Sequence, residues 1–95
     1  MTAYVVFTRL ATKDKAEMET YASIAKQAGE GHPITRLAFY GPIETLEGPE
    51  LEGSVILSFP TADEARAWYN SPLYQEARTH RLKGADYHVF IAEGI

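Results

Sequence analysis

The sequence predicts an α+β fold in the order βαββαβ, with a four-stranded antiparallel sheet and its helices on one face. Two observations carry this prediction. Several short segments alternate apolar residues with a period of two, and two longer segments have helical spacing and begin at residues typical of N-caps. The 95 residues, 45% of them hydrophobic, suffice for one core, so one domain is predicted over residues 1–95.

The first strand and the first helix are predicted in the N-terminal third of the chain. Residues 4–9 alternate with a period of two and carry apolar groups on both faces. Asp14 is a residue type preferred at N-caps, and Glu17 stands at the capping-box position three residues later. A helix is therefore predicted over residues 14–28, ended by Gly29.

Two strands are predicted in the middle of the chain. Residues 36–40 alternate, and Gly41-Pro42 interrupts this strand because proline cannot donate to a ladder. Pairing is expected to resume over residues 43–46 and to end at the turn of residues 47–50. Residues 54–59 then read as a buried strand.

A broken helix and a last strand are predicted in the C-terminal third of the chain. Thr61 and Glu64 form a second capping box, and Ser71-Pro72 restarts the helix with serine as the cap. This second segment runs to about Leu82, and residues 87–92 close the sheet. The inner stripe of the first segment consists of Ala65, Trp68 and Tyr69.

The strands place apolar residues on both faces of the predicted sheet. Helices cover one face only, so the second face needs another cover. A second copy of the same sheet, related by a two-fold axis, is the simplest one. The sequence therefore predicts a homodimer formed through the sheet faces.

Composition excludes several function classes. The chain has no cysteine, which removes disulfides, thiolate metal sites and thiol nucleophiles. Its net charge of −4 argues against nucleic-acid binding, which needs basic groups on at least one face. No apolar stretch is long enough for a membrane span and no export signal is apparent, so a cytoplasmic location without membrane contact is expected. The three histidines lack metal-ligand spacing, and no cofactor is expected.

Three stretches of the chain resemble one family, the domain of unknown function family 1330 of the dimeric α/β-barrel superfamily. The stretches are residues 41–48 (GPIETLEG), residues 56–75, with the succession Phe-Pro-Thr, Ala-Trp-Tyr and Ser-Pro-Leu-Tyr-Gln, and residues 81–93. The resemblance implies a ferredoxin-like protomer and a barrel-forming dimer, but no established activity. Related barrels include cofactor-free monooxygenases and muconolactone isomerase-like enzymes, whose pockets lie between the helices and the sheet.

The chain departs from that family at the turn before the second strand. Members commonly carry a His-Gly-Gly there, and His32 falls at the histidine by its distance from Gly41. Pro33 and Ile34 replace the two glycines, and Phe39 stands where an arginine is common.

Five residues are predicted to form a site. His32 is a candidate proton acceptor because its ordinary pKa lies near physiological pH, and Arg36 is a candidate anchor for a carboxylate. Tyr69 and Tyr74 offer apolar walls with a hydroxyl, and Arg78 belongs to a basic cluster near a helix end. Each of the three basic residues also has an alternative explanation. For His32 it is an exposed turn histidine without a function, for Arg36 a surface ion pair, and for Arg78 a favourable interaction with the helix dipole.

These features predict a protein that binds or transforms a small organic molecule, such as a carboxylate, lactone or aromatic compound, in a helix–sheet pocket without metal or nucleotide. Whether it is an enzyme stays open. If it is one, superfamily analogy indicates a cofactor-independent isomerase or monooxygenase. The alternatives are a non-catalytic sensor or interaction module, and a scaffold whose interior is filled by aromatic side chains.

Overall fold

The computed structural model describes residues 1–95 and contains four strands and three helices. The strands pair only antiparallel, in the order β2-β3-β1-β4, so the predicted βαββαβ order with a broken second helix is confirmed. None of the helices has the length and hydropathy that crossing a membrane requires. The elements are β1 (Ala3–Thr12), α1 (Lys15–Ala28), β2 (Thr35–Phe39), β3 (Gly53–Phe59), α2 (Ala62–Tyr69), α3 (Pro72–Gly84) and β4 (Ala85–Glu93).

One face of the sheet is buried beneath the helices. On the two central strands Val5 lies opposite Leu57 and Phe7 lies opposite Val55, and all four side chains are buried. Phe59 extends this face to the end of β3. The period-two pattern in the sequence therefore separated the two faces of both central strands, and the structure shows which of these faces is the core.

Aromatic side chains fill the space between the sheet and helices α2 and α3. The Trp68 ring lies 5.6 Å from the Phe59 ring, 6.3 Å from the Phe7 ring and 4.3 Å from the Tyr74 ring, measured between centroids. Each such aromatic pair contributes about 0.5–1.5 kcal/mol beyond the area it buries. Trp68 and Tyr74 are 4% and 0% exposed, so this cluster anchors both helices to the sheet.

Helix α1 packs mainly against α3, and its backbone approaches α3 far more closely than it approaches any strand. Two polar contacts join the helices. The hydroxyls of Tyr21 and Tyr74 are 3.0 Å apart, and Glu17 Oε2 lies 2.6 Å from His80 Nδ1. Because α1 stands away from the sheet, space remains between them.

The helix starts follow the caps that the sequence indicates. Asp14, Thr61 and Ser71 each have an extended backbone, and each side chain accepts a hydrogen bond from a backbone N–H of the first turn. These bonds satisfy donors that have no partner inside the helix. All three predicted N-caps are therefore confirmed.

The prediction that pairing resumes over residues 43–46 is wrong, because residues 41–52 contain no strand. Tyr40 adopts a left-handed backbone with φ of 54°, which turns the chain out of β2. Its N–H still donates to the Ser54 carbonyl at 2.8 Å, and this is the last backbone bond of the β2–β3 pair. Pro42 has no N–H with which to extend the ladder.

The other face of the sheet carries no helix. Val6 lies opposite Ile56 on one side and Phe90 on the other, so these three side chains form an apolar row across β3, β1 and β4. Phe90 is 51% exposed. The expected second apolar face is present.

We predict that Gly84→Ala destabilises the protein. A Cβ at residue 84 would lie 2.8 Å from Met18 Sδ and 3.2 Å from the Met18 backbone nitrogen. Such overpacking costs about 1–3 kcal/mol, which should appear as a lower free energy of unfolding in urea. Gly41→Ala is the matched control, because a Cβ there meets no atom within 4 Å. Equal stability of the two variants would contradict this packing.

Candidate functional site

A cavity of about 770 Å³ lies between α1 and the sheet, within the size range of pockets for small organic molecules. Its walls are largely apolar. The buried face of the sheet forms one wall. Helix α1 forms the other, and its alanine side chains are small enough to leave space between the two walls. The apolar lining includes Phe7, Val55 and Leu57 from the sheet and Met18, Ala22 and Ala25 from α1.

The charged residues around the cavity are mostly basic. Arg9, Lys15, Lys26 and Arg36 line it, whereas Glu19 is the only carboxylate that does. The whole chain carries a net charge of −4, so this distribution opposes the overall charge. The cavity is thus a locally positive region of an acidic protein.

Arg9 lies at the inner part of this basic group, with its side chain 25% exposed. Its Nε is 3.3 Å from Glu52 Oε1, but the geometry is not that of a hydrogen bond, and the buried Nε has no hydrogen-bond partner. The guanidinium lies 5.0 Å from the Tyr40 ring centroid. Arg9 is therefore held by charge and ring contacts while one donor stays unused.

Gly53 allows Tyr40 and Arg9 to lie side by side over the sheet. A Cβ at residue 53 would be 2.7 Å from Tyr40 Cδ1 and 3.4 Å from Arg9 Nη2. The absence of a side chain lets the tyrosine ring cross the sheet, where its hydroxyl meets that of Tyr87 on β4. This glycine shapes one wall of the cavity.

Two pairs of tyrosine hydroxyls adjoin the cavity. Tyr40 pairs with Tyr87, and Tyr21 pairs with Tyr74; the first member of each pair lines the cavity. Two hydroxyls carry two hydrogens, and the bond between them uses one. Each pair therefore keeps one O–H hydrogen for a further acceptor.

Three of these tyrosines, Tyr21, Tyr40 and Tyr74, keep their phenolic protons at neutral pH. Burial raises the pKa of Tyr21, Tyr40 and Tyr74 above the ordinary value. The neighbouring hydroxyl raises the pKa of Tyr21 and Tyr40 further. Tyr21 and Tyr40, which line the cavity, therefore keep O–H groups that can donate hydrogen bonds.

Arg81 is a buried cation behind the cavity, 4% exposed. Its guanidinium carbon lies 5.9 Å from the Phe7 ring centroid and 5.3 Å from that of Tyr87. It forms no ion pair, and its Nε has no hydrogen-bond partner. Its charge opposes the effect of burial on the pKa of Tyr21 and Tyr74. Arg81 thus favours negative charge in this part of the interior.

Trp68 places a further unused donor at the cavity. The side chain lines the cavity and is 4% exposed, and its Nε1 has no hydrogen-bond partner in the protein. An indole nitrogen can only donate, and a buried donor without a partner is costly.

Of the five residues predicted as a site, Arg36 alone lines the cavity. Its guanidinium lies 4.6 Å from the Phe39 ring centroid, and it forms no ion pair. His32 is half-buried in the turn before β2, outside the cavity lining, so the structure does not bring it together with Arg36 there. Tyr69 packs on the Tyr74 ring, with centroids 5.3 Å apart.

Tyr74 and Arg78 also lie outside the cavity lining. Tyr74 is fully buried and reaches the cavity only through its bond to Tyr21. Arg78 is half-buried on α3, and its buried Nε has no hydrogen-bond partner. No three His, Asp or Glu side chains of the chain come together as a possible metal site.

Sequence reasoning missed Arg9 and Tyr40. A signal for Arg9 was present, because it follows Val5 and Phe7 at the period of two and so shares their buried face. A charged residue in that series indicates a polar function inside the fold. Tyr40 gave no such signal, because its partner Tyr87 lies 47 positions away.

The family model for the domain of unknown function DUF1330 matches residues 2–95. The chain belongs to this family. The resemblance stated from the sequence is therefore confirmed. No curated protein sequence matches significantly.

Solved structures share the fold at low identity. A protein of unknown function from Rhodopseudomonas palustris is 16% identical with a TM-score of 0.75, covering 99% of this chain and 82% of its own. A dimeric protein of unknown function and ferredoxin-like fold from Bacteroides fragilis is 10% identical with a TM-score of 0.67, covering 98% and 96%. SnoaB, a cofactor-independent oxygenase from Streptomyces nogalater, is 11% identical with a TM-score of 0.64, covering 99% and 93%. The DUF1330 chain thus has the predicted ferredoxin-like fold.

The buried tyrosines predict a loss of stability at alkaline pH. Above the ordinary tyrosine pKa near 10, the unfolded chain releases phenolic protons while folded Tyr21 keeps its own. The unfolded state then binds fewer protons, so the free energy of unfolding falls as pH rises. We expect Tyr21→Phe to reduce this slope by about 1 kcal/mol per pH unit in urea titrations between about pH 10 and 11, where the unfolded tyrosine is partly ionised. Equal slopes in the two proteins would contradict the assignment.

Proposed function

We propose that this DUF1330 protein binds or transforms a small organic molecule in the cavity between α1 and the sheet. The cavity itself is the observation that carries the proposal, because an interior filled by aromatic side chains would leave no such space. Its apolar walls and few polar groups have the character of ligand pockets.

Arg36 is proposed as the anchor of an acidic group on that molecule. It lines the cavity, has no carboxylate partner and presents a planar fork of donors. Tyr69 and Tyr74 are proposed to support the site from behind, through Trp68 and Tyr21, without touching the ligand. Arg78 as a ligand contact stays a prediction.

Non-catalytic binding is the second candidate, and one observation favours it over a base-catalysed reaction. The cavity lining contains no histidine, its tyrosines keep their protons, and Glu19 is its one carboxylate. His32 as a proton acceptor stays a prediction. If the wild type converts a bound compound to a product and His32→Ala does not, the result would favour an enzymatic function.

We also propose that the protein forms a homodimer through the outer sheet face. The apolar row of Val6, Ile56 and Phe90 supports this, because a solvated sheet face normally carries polar residues. The Bacteroides fragilis neighbour, described as dimeric, has the same fold.

Ligand binding is tested by thermal unfolding against a panel of carboxylates, lactones, phenols and quinones. A compound at about 100 times its dissociation constant adds about 2.7 kcal/mol, a shift of several degrees. Ala22→Trp should abolish the shift, because residue 22 lines the cavity and is exposed. Ala67→Trp, at an exposed position of α2 outside the lining, should keep it. No shift with any compound, or an unchanged shift in Ala22→Trp, would contradict the proposal.

The dimer is tested by sedimentation equilibrium of wild type, Phe90→Glu and Leu82→Glu. Wild type and Leu82→Glu should be dimers, because Leu82 lies on α3 and not on the sheet. Phe90→Glu should dissociate, because the change places a charge in the apolar row. Circular dichroism checks that the variant stays folded. A monomeric wild type, or a dimeric and folded Phe90→Glu, would count against the sheet-face dimer.

A further inference from the structure

We infer that the cavity takes an organic anion: an apolar, aromatic molecule that carries a carboxylate. This inference rests on the proposed ligand-binding function and names the class of ligand. Three features of the cavity indicate this class of ligand: its unused donors, the unpaired cations around it and its apolar walls.

The unused hydrogen-bonding groups at the cavity are donors. Trp68 Nε1 and Arg9 Nε are buried, line the cavity with their side chains and have no hydrogen-bond partner. Tyr21 and Tyr40 belong to hydroxyl pairs that each keep a free hydrogen. A ligand that satisfies these groups must bring acceptors, and a carboxylate accepts at two oxygens without donating.

The cations at the cavity are largely unpaired. Lys15, Lys26 and Arg36 form no ion pair, whereas Arg9 forms one with Glu52 at 3.3 Å that lacks hydrogen-bond geometry. Glu19 is the one carboxylate in the lining. A neutral ligand would not compensate this excess positive charge, whereas an anion would lower the electrostatic energy of the cavity.

A second source of positive potential lies behind the cavity floor. Arg81 is 4% exposed, contacts the cavity-lining Phe7 ring and has no carboxylate partner. A buried charge without a counter-ion is unfavourable, so an anion nearby relieves it. Arg81 does not line the cavity, so we assign it a positioning role: its electrostatic field favours an anionic group in the cavity.

The side chains that line the cavity determine which kind of molecular body can carry the carboxylate. Phe7, Val55, Leu57 and Trp68 present apolar and ring surfaces. Such surfaces suit an aromatic body and not a strongly hydrated one such as a sugar phosphate. An aromatic carboxylate combines both requirements.

The test compares 2-naphthoate with its neutral isostere 2-naphthamide, by calorimetry on the whole chain. We expect the carboxylate to bind at least about tenfold more tightly, since a charge-assisted hydrogen bond is worth about a factor of ten. Arg36→Gln should weaken naphthoate binding about tenfold and leave amide binding almost unchanged. Arg66→Gln is the matched control, because Arg66 lies on α2 outside this cavity and pairs with Asp63.

Salt dependence is the second measurement, because it needs no variant. Raising the ionic strength from about 0.05 M to about 0.5 M should weaken naphthoate binding and spare the amide. Equal affinities for acid and amide, or an equal effect of Arg36→Gln on both, would overturn the inference while the cavity proposal stands. Binding of neither compound to the wild type would instead contradict the cavity proposal on which the inference rests.

Discussion

The contact between the rings of Trp68 and Tyr74 links all three helices of this protein to its core. The two rings are 4.3 Å apart between centroids, and Trp68 also reaches Phe7 and Phe59 on the sheet. Tyr74 in turn holds Tyr21 of α1 through its hydroxyl. Helix α1 therefore packs mainly on α3. The cavity is the space that remains between α1 and the sheet.

The same arrangement explains the polar character of the cavity. Because α1 stands away from the sheet, side chains from the central strands can point into the interior without being fully covered. Arg9 occupies this space beside Tyr40, and Gly53 keeps their region open. The protein thereby holds donors and cations at a place where it supplies almost no acceptors. A structural role alone does not explain that imbalance, since buried polar groups are normally satisfied.

The sequence predicted the elements that depend on local patterns. The alternation through Val5 and Phe7 identified β1 as a strand, and Asp14, Thr61 and Ser71 identified the helix starts. Both signals arise from residues within one turn or one strand, where the chemistry is local. The fold class and the family followed from them and from the motifs.

The site was predictable only in part, because it depends on contacts between distant residues. Arg36 was found from its residue type alone, because the planar fork of an arginine suits a carboxylate. Tyr40 was placed in a strand that would continue beyond Gly41-Pro42, but its left-handed backbone instead turns the chain and directs its ring toward Tyr87. Nothing in the local sequence of either tyrosine indicates that contact. The predicted site residue His32 lies in a turn outside the cavity lining.

The most direct test of the account is a methyl NMR titration of the whole chain with 2-naphthoate. Aromatic rings shift the resonances of nearby methyl groups, so the perturbed methyls locate the ligand. The account predicts shifts at Ala22, Ala25, Val55 and Leu57, which line the cavity, and none at Ile56 on the outer sheet face. Shifts confined to Ile56 and its neighbours, or no shifts at saturating ligand, would contradict it.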